Sequence, residues 1–103
     1  MNAWERTKRE VFERDKGYCQ YCEQDLLLSR ATYNGHHIDH VIARAKSGSD
    51  KLENLKLACA TCNLGLSRQI DLTTFEERKE YINKRTNEYH EPWYRELKSK
   101  LRK

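Results

Sequence analysis

The sequence predicts one small α+β domain, stapled by a zinc ion on four cysteines and flanked by N- and C-terminal helices. Three observations predict it. The cysteines fall into two Cys-x-x-Cys pairs, Cys19/Cys22 and Cys59/Cys62. A β-like run, His37 to Ile42, lies between the pairs. Capped, amphipathic helical patterns occupy both ends of the chain.

Length and composition bound the rest. The 103 residues suffice for one domain with a modest core, a size at which a metal staple is a common remedy. Charged residues make up 35% and the net charge is +4, which permits a nucleic-acid partner without requiring one. No apolar run approaches the roughly 18 residues of a membrane span, and MNAWERTKREVF has no apolar signal region. The expected setting is cytoplasmic, in a bacterial, phage or archaeal context.

The elements follow in order. Asn2 can cap a helix over residues 3–16, with Glu5 placed to close a capping box. Trp4, Val11 and Phe12 share one face of that helix, and Gly17 suits its end. Leu26–Leu28 and Ala31–Tyr33 read as parts of a small hairpin, with a helical turn at 25–30 as the alternative. Asn34-Gly35 marks a turn. Ile38, Val41 and Ile42 carry a strand, and residues 43–52 form a polar loop around Gly48. A short helix begins at Ala60 or Thr61 and runs to about Arg68. Thr73 or Thr74 caps the next helix, whose stripe is Phe75, Ile82 and Tyr89. Pro92 suits the first turn of a last helix, where Trp93, Leu97 and Leu101 form a row expected to pack into the core.

The cysteines carry the clearest chemistry. Two residues between thiolates let one tight turn present both sulfurs to one ion, and two such turns complete a tetrahedral shell. A closed four-sulfur shell leaves no position for water, so this zinc is structural. In a reducing compartment such pairs favour metal over disulfide. A redox pair is the competing assignment, and it needs one reactive pair rather than four facing thiols.

Between the cysteine pairs lies Asp39-His40. A carboxylate suits a hard divalent ion such as Mg²⁺, and an imidazole titrates near neutral pH and can act as general base. Phosphodiester hydrolysis needs both, a base for water and a cation for developing charge. Taken alone, an Asp beside a His is more often a hydrogen-bonded structural pair. Asn63, directly after Cys62, is either a helix cap or a group facing Asp39. His37 shares a strand face with Asp39 and is a further metal ligand, a phosphate contact or a structural residue. His36 points the other way.

At these residues the chain resembles a family. CQYC followed by HHIDHVIARAKSGSDKLENLKLACATCN is similar to the HNH endonucleases with paired zinc knuckles, over roughly residues 4–68. The resemblance implies a ββα-metal (His-Me finger) core at about 17–68, inside one nuclease domain spanning 1–103, with helical extensions at about 3–16 and 73–103. It implies that Asp39 and Asn63 hold a catalytic Mg²⁺ or Mn²⁺. It also implies that His40 is the general base and that Asn54 holds the loop and orients that base. Two positions depart from the pattern. Asn63 stands where many members have His, an H-N-N variant, and its oxygen suits Mg²⁺ or Mn²⁺ better than zinc. Leu66 stands where a Lys is often found, and Arg68 can supply that phosphate contact.

Arg44, Lys46 and Lys51 flank the proposed site and can hold DNA phosphates or simply form a solvated loop. The last nine residues carry five basic side chains and one acidic one, suited to a DNA backbone. The expected activity is weakly specific DNA nicking by a monomer or homodimer, within a phage, restriction or defence system. The rival is a non-catalytic zinc-ribbon module that binds nucleic acid. It gives no reason for Asp39, His40, Asn54 and Asn63 to occur together.

Overall fold

In the computed structural model, which describes residues 1–102, the chain begins with a capped helix. Lys103, the last residue of the basic tail, lies outside the described residues. Asn2 Oδ1 accepts the Glu5 N–H at 2.8 Å and opens α1, Ala3–Arg14. Val11 is buried, and Trp4 and Phe12 pack partly buried against the same core. The helix stops two residues short of the predicted end. Lys16 and Gly17 both take positive φ, 57° and 74°, and Gly17 N–H turns back to Phe12 O.

The first cysteine turn follows, closed by Cys19 N–H to Gln24 O at 2.9 Å and Glu23 N–H to Cys19 O at 2.8 Å. The hairpin predicted through Ala31–Tyr33 does not form. That stretch is a short helix, α2, Arg30–Asn34, because Ser29 and Thr32 make a reciprocal capping box. Helix capping outcompetes strand pairing where no partner strand is in reach.

Strands β1 (His37–His40) and β2 (Leu55–Ala58) form an antiparallel pair in which His37 faces Ala58 and His40 faces Leu55. Helix α3, Ala60–Leu66, follows at once, its N-terminus capped by the Cys59 sulfur. Two strands and one helix thus enclose the segment between the cysteine pairs. The connecting loop folds back on itself at Gly48. A Cβ there would stand 1.7 Å from Ile42 O, so only glycine fits.

The end of α1 is bonded along β2. Arg14 donates to the carbonyls of Leu52 at 2.7 Å and Leu55 at 2.5 Å. Asp15 Oδ2 accepts the Leu57 N–H, and Gln20 N–H donates to Leu57 O, both at 2.9 Å. The core beneath comprises Val11, Tyr21, Leu26, Leu55, Leu57, Leu66 and Ile82 around the cysteines. Leu66, one of the two departures from the family pattern, is a core residue.

Thr74 caps α4, Phe75–Arg85, accepting from Glu77 N–H. A π-helical segment, Thr86–His90, carries the helix on into α5, Glu91–Leu101, with Pro92 in its first turn. The result is one long rod whose inner face is buried only at Arg78 and Ile82 on α4. The expected packing of the last row does not occur: Trp93, Leu97 and Leu101 are 65%, 47% and 63% exposed, and Tyr89 is exposed as well. The rod leaves the core beyond Ile82, and no residue of α5 is buried. No helix among the described residues is long and apolar enough to cross a membrane.

Candidate functional site

The four cysteines meet as their spacing requires. Their sulfurs all lie within 4.8 Å of one another, and Cys22 and Cys59 are 3.6 Å apart. A tetrahedron with Zn–S bonds of about 2.3 Å has edges of about 3.8 Å, so the cluster fits one zinc ion and not a disulfide. Hydrogen bonds from Cys22, and then from Cys59 and Cys62, push the Cys19 thiol well below its ordinary pKa. The same crowding pushes Cys62 up, through Cys19 first. Four thiols this close cannot all ionise unaided, and a dication resolves that conflict.

The second site is a cleft lined by Asp39, His40, Arg44, Asn63, Ser67 and Arg78, about 210 Å³ in volume. Strand β1 supplies the first two, α3 supplies Asn63, and α4 supplies Arg78. The resemblance placed Asp39, His40 and Asn63 together, and the structure brings these three into one cleft. It does not bring His37 there. That ring is exposed at the start of β1, with its Nδ1 on Gly35 O at 2.9 Å. His36 packs edge-on against Phe12.

His40 is held on two sides. Its Nε2 lies 2.8 Å from Asp50 Oδ1, and its ring stacks on Trp4 at 5.8 Å between centroids. The His40 bond, and then Arg44, hold the Asp50 carboxyl below its ordinary pKa. An ionised carboxylate can only accept, so Nε2 carries the proton and donates. In the neutral ring the lone pair then sits on Nδ1. The Arg44 guanidinium covers the other part of this assembly, 5.0 Å from the Trp4 ring centre and 3.2 Å from Asp50. The sequence pattern places Trp4 only on one helix face with Val11 and Phe12, and it does not single out Asp50. Trp4 lies 36 residues before His40 and Asp50 ten after it in a polar loop, and neither carries a local signature.

Asn54 clamps the loop that bears Asp50. Its Oδ1 accepts the Ile42 N–H at 2.8 Å, and its Nδ2 donates to Ile42 O at 3.0 Å and Ser49 O at 2.8 Å. Its own carbonyl accepts the Val41 N–H at 2.9 Å. Asn54→Ala therefore removes three buried hydrogen bonds and should lower stability by about 2–4 kcal/mol in denaturant titration. A loss under about 0.5 kcal/mol, the range of ordinary surface changes, would show that the loop holds its shape without this clamp.

Asp39 is not open to the cleft as a free carboxylate. Oδ1 accepts from Arg78 Nη2 at 2.6 Å, and Oδ2 accepts from Arg78 Nε at 3.0 Å and from the Tyr21 hydroxyl. Arg78 Nη1 donates onward to the carbonyls of Gln69 and Leu72. The Arg78 and Asp39 side chains are only 3% and 6% exposed. Burial alone would lower the Arg78 pKa, but Asp39 outweighs it and holds the guanidinium above its ordinary value. Burial and then the Asp39 charge push the Tyr21 hydroxyl up. The divalent ion that the resemblance implies does not fit on Asp39 and Asn63 with Arg78 in place. The carboxylate charge is already compensated, and Asn63 alone is a neutral ligand for a hard cation.

Of the basic residues expected to meet DNA, Arg44 lines the cleft. Lys46 pairs with Asp71 at 3.3 Å, and Lys51 and Arg68 are exposed.

Two strands and a helix, folded beside a four-cysteine cluster that fits zinc, define a ββα-metal domain of the nuclease type. The model of the HNH endonuclease family matches residues 19–69, from the first cysteine to just beyond α3. Residues 19–69 are therefore an HNH-family domain, a family whose members are generally nucleases. No curated protein and no solved structure matches the chain significantly.

Proposed function

We propose that the chain is an endonuclease that hydrolyses DNA phosphodiester bonds in the Asp39–His40–Asn63 cleft. The observation that carries this reading is the His40 ring, fixed by Asp50 and Trp4 with Nδ1 as its basic nitrogen, at a cleft lined by Arg44 and Arg78. Nδ1 takes a proton from water, and the water oxygen attacks phosphorus. The bond from phosphorus to the 3′ oxygen breaks, and that oxygen takes a proton from solvent. Arg44 is placed to hold a phosphate, and Asn63 can bond a phosphate oxygen through its amide. A bound divalent ion supplies charge compensation at the phosphate in this family. The cation that the cleft itself presents to a phosphate is Arg44, since Arg78 is buried on Asp39.

One chain holds one such cleft, so a monomer nicks and a double-strand break needs two chains or two events. Weak sequence preference goes with this reading, because among the described residues nothing resembles a base-reading module. The whole chain acts as one domain in a reducing, cytoplasmic setting. The test is nicking of supercoiled plasmid by zinc-loaded protein with Mg²⁺, Mn²⁺ or EDTA, beside His40→Ala. Open-circle product from the wild type and not from the variant supports the reading, and equal product from both overturns it.

The buried Asp39–Arg78 pair favours a second reading, a non-catalytic zinc module that binds nucleic acid. Under that reading the wild type binds plasmid and cleaves it under no divalent ion.

A further inference from the structure

A helix outside the family-matched segment supplies a cation of its own to Asp39. Arg78 comes from α4, beyond residues 19–69. Thr74 sets the helix start, and Ile82, one turn after Arg78, is buried in the core, so the register of α4 aims Arg78 inward. Two of its nitrogens grip both carboxylate oxygens, and the third is anchored to the carbonyls of Gln69 and Leu72. Four of the five guanidinium N–H groups are thereby used. Oδ2 is shared with the Tyr21 hydroxyl.

We infer that Arg78 is the resident cation of this site and competes with divalent metal for Asp39, so that Mg²⁺ and Mn²⁺ are kept off the carboxylate while Arg78 is seated. A metal approaching the remaining lone pair of Oδ1 would meet a carboxylate without net charge to offer and a guanidinium beside it. To bind well it must expel a buried arginine that makes four hydrogen bonds. That makes Arg78 a specificity-determining residue, one that sets whether a cation from solvent enters. Removing it leaves a buried carboxylate with only a tyrosine hydroxyl, a strong incentive to take up a hard dication. The inference rests on the nuclease reading for its consequence on turnover, but its readout is metal binding without nucleic acid. Failed plasmid nicking leaves it standing, and its failure leaves the nuclease reading standing.

The experiment is Mn²⁺ titration of zinc-loaded protein, followed by electron paramagnetic resonance of the free ion. Arg78→Met should bind one Mn²⁺ per chain about a hundredfold or more tightly than the wild type, the size of a broken buried ion pair. Adding Asp39→Asn to that variant should abolish the gain. Zinc content and circular dichroism check the fold, and Arg78→Gln, which keeps a polar side chain without charge, replaces the Met variant if it fails to fold. Wild-type protein answers separately: Mn²⁺ should not broaden the amide resonances of Asp39 and Tyr21. Wild-type binding that Asp39→Asn removes, at the affinity of the Arg78 variants, overturns the inference. So does a folded Arg78 variant with no gain in affinity.

Discussion

Stripping the zinc should unfold this protein. Chelation by a strong zinc ligand is expected to abolish the helical circular dichroism and the cooperative unfolding transition together. Cys19, Cys59 and Cys62 are themselves core residues, packed with Tyr21, Leu26, Leu55 and Leu66. A zinc on these four sulfurs would join the turn after α1 to the start of α3, and so close the segment that holds β1, the loop and β2. Structural zinc contributes an apparent 10–16 kcal/mol in small domains at neutral pH, against a typical net stability of about 5–15 kcal/mol. Cys59→Ala should be the most damaging of the four alanine variants, because the Cys59 sulfur also caps α3 and alanine cannot. Binding requires thiolates, so zinc should be released as the pH falls. A zinc-free protein with an intact, cooperative transition would show that the apolar core suffices alone.

His40→Ala should lower cleavage about 10²- to 10⁴-fold, the range of a lost general base, with zinc content and thermal unfolding unchanged. The ring is 14% exposed at the cleft, and its replacement leaves the Asn54 clamp and the cysteine cluster untouched. Asp50→Ala should cost about tenfold, near the lower end for a hydrogen bond to a charged group, because Asp50 is largely solvent-exposed. That loss should fall on kcat with little change in KM, since Asp50 acts on the base and not on the bound phosphate. An Asp50 variant that weakens KM instead would place the residue at the substrate and remove its role behind His40.

Local signals were legible in the sequence where one short stretch contains its own cause. Asn2 and Thr74 announce their helices because the cap and its partner lie within one turn. The Cys-x-x-Cys pairs announce their metal for the same reason. Ser29 and Thr32 are equally local, and their capping box makes a helix where the apolar pattern alone predicts a hairpin. The row Trp93, Leu97, Leu101 shows the other limit: periodicity says which residues share a face, not whether anything covers that face. In the cleft, Asp39, His40 and Asn63 were legible from the motif and its spacing. Their partners were not. Arg78 lies 39 residues from Asp39 and reaches it only because α4 packs beside α3. Trp4 lies 36 positions before His40 and reaches it only because α1 folds onto the sheet. Tertiary contacts of that range leave no pattern in the string of letters.

The bonds between α1 and β2 bear on how the protein behaves in a crowded solution. A two-stranded sheet has two bare edges, each a template on which a strand from another chain can register and start an aggregate. On β2 the outward-facing groups are already spoken for. Leu55 O takes Arg14, Leu57 N–H goes to Asp15, and Leu57 O takes the Gln20 N–H. A charged side-chain pair and a turn stand where a third strand would have to lie. Neutralising Asp15 would therefore do more than loosen a helix end. It would bare a strand of Leu, Lys, Leu and Ala to its neighbours, and the penalty would show first as lost solubility at high protein concentration.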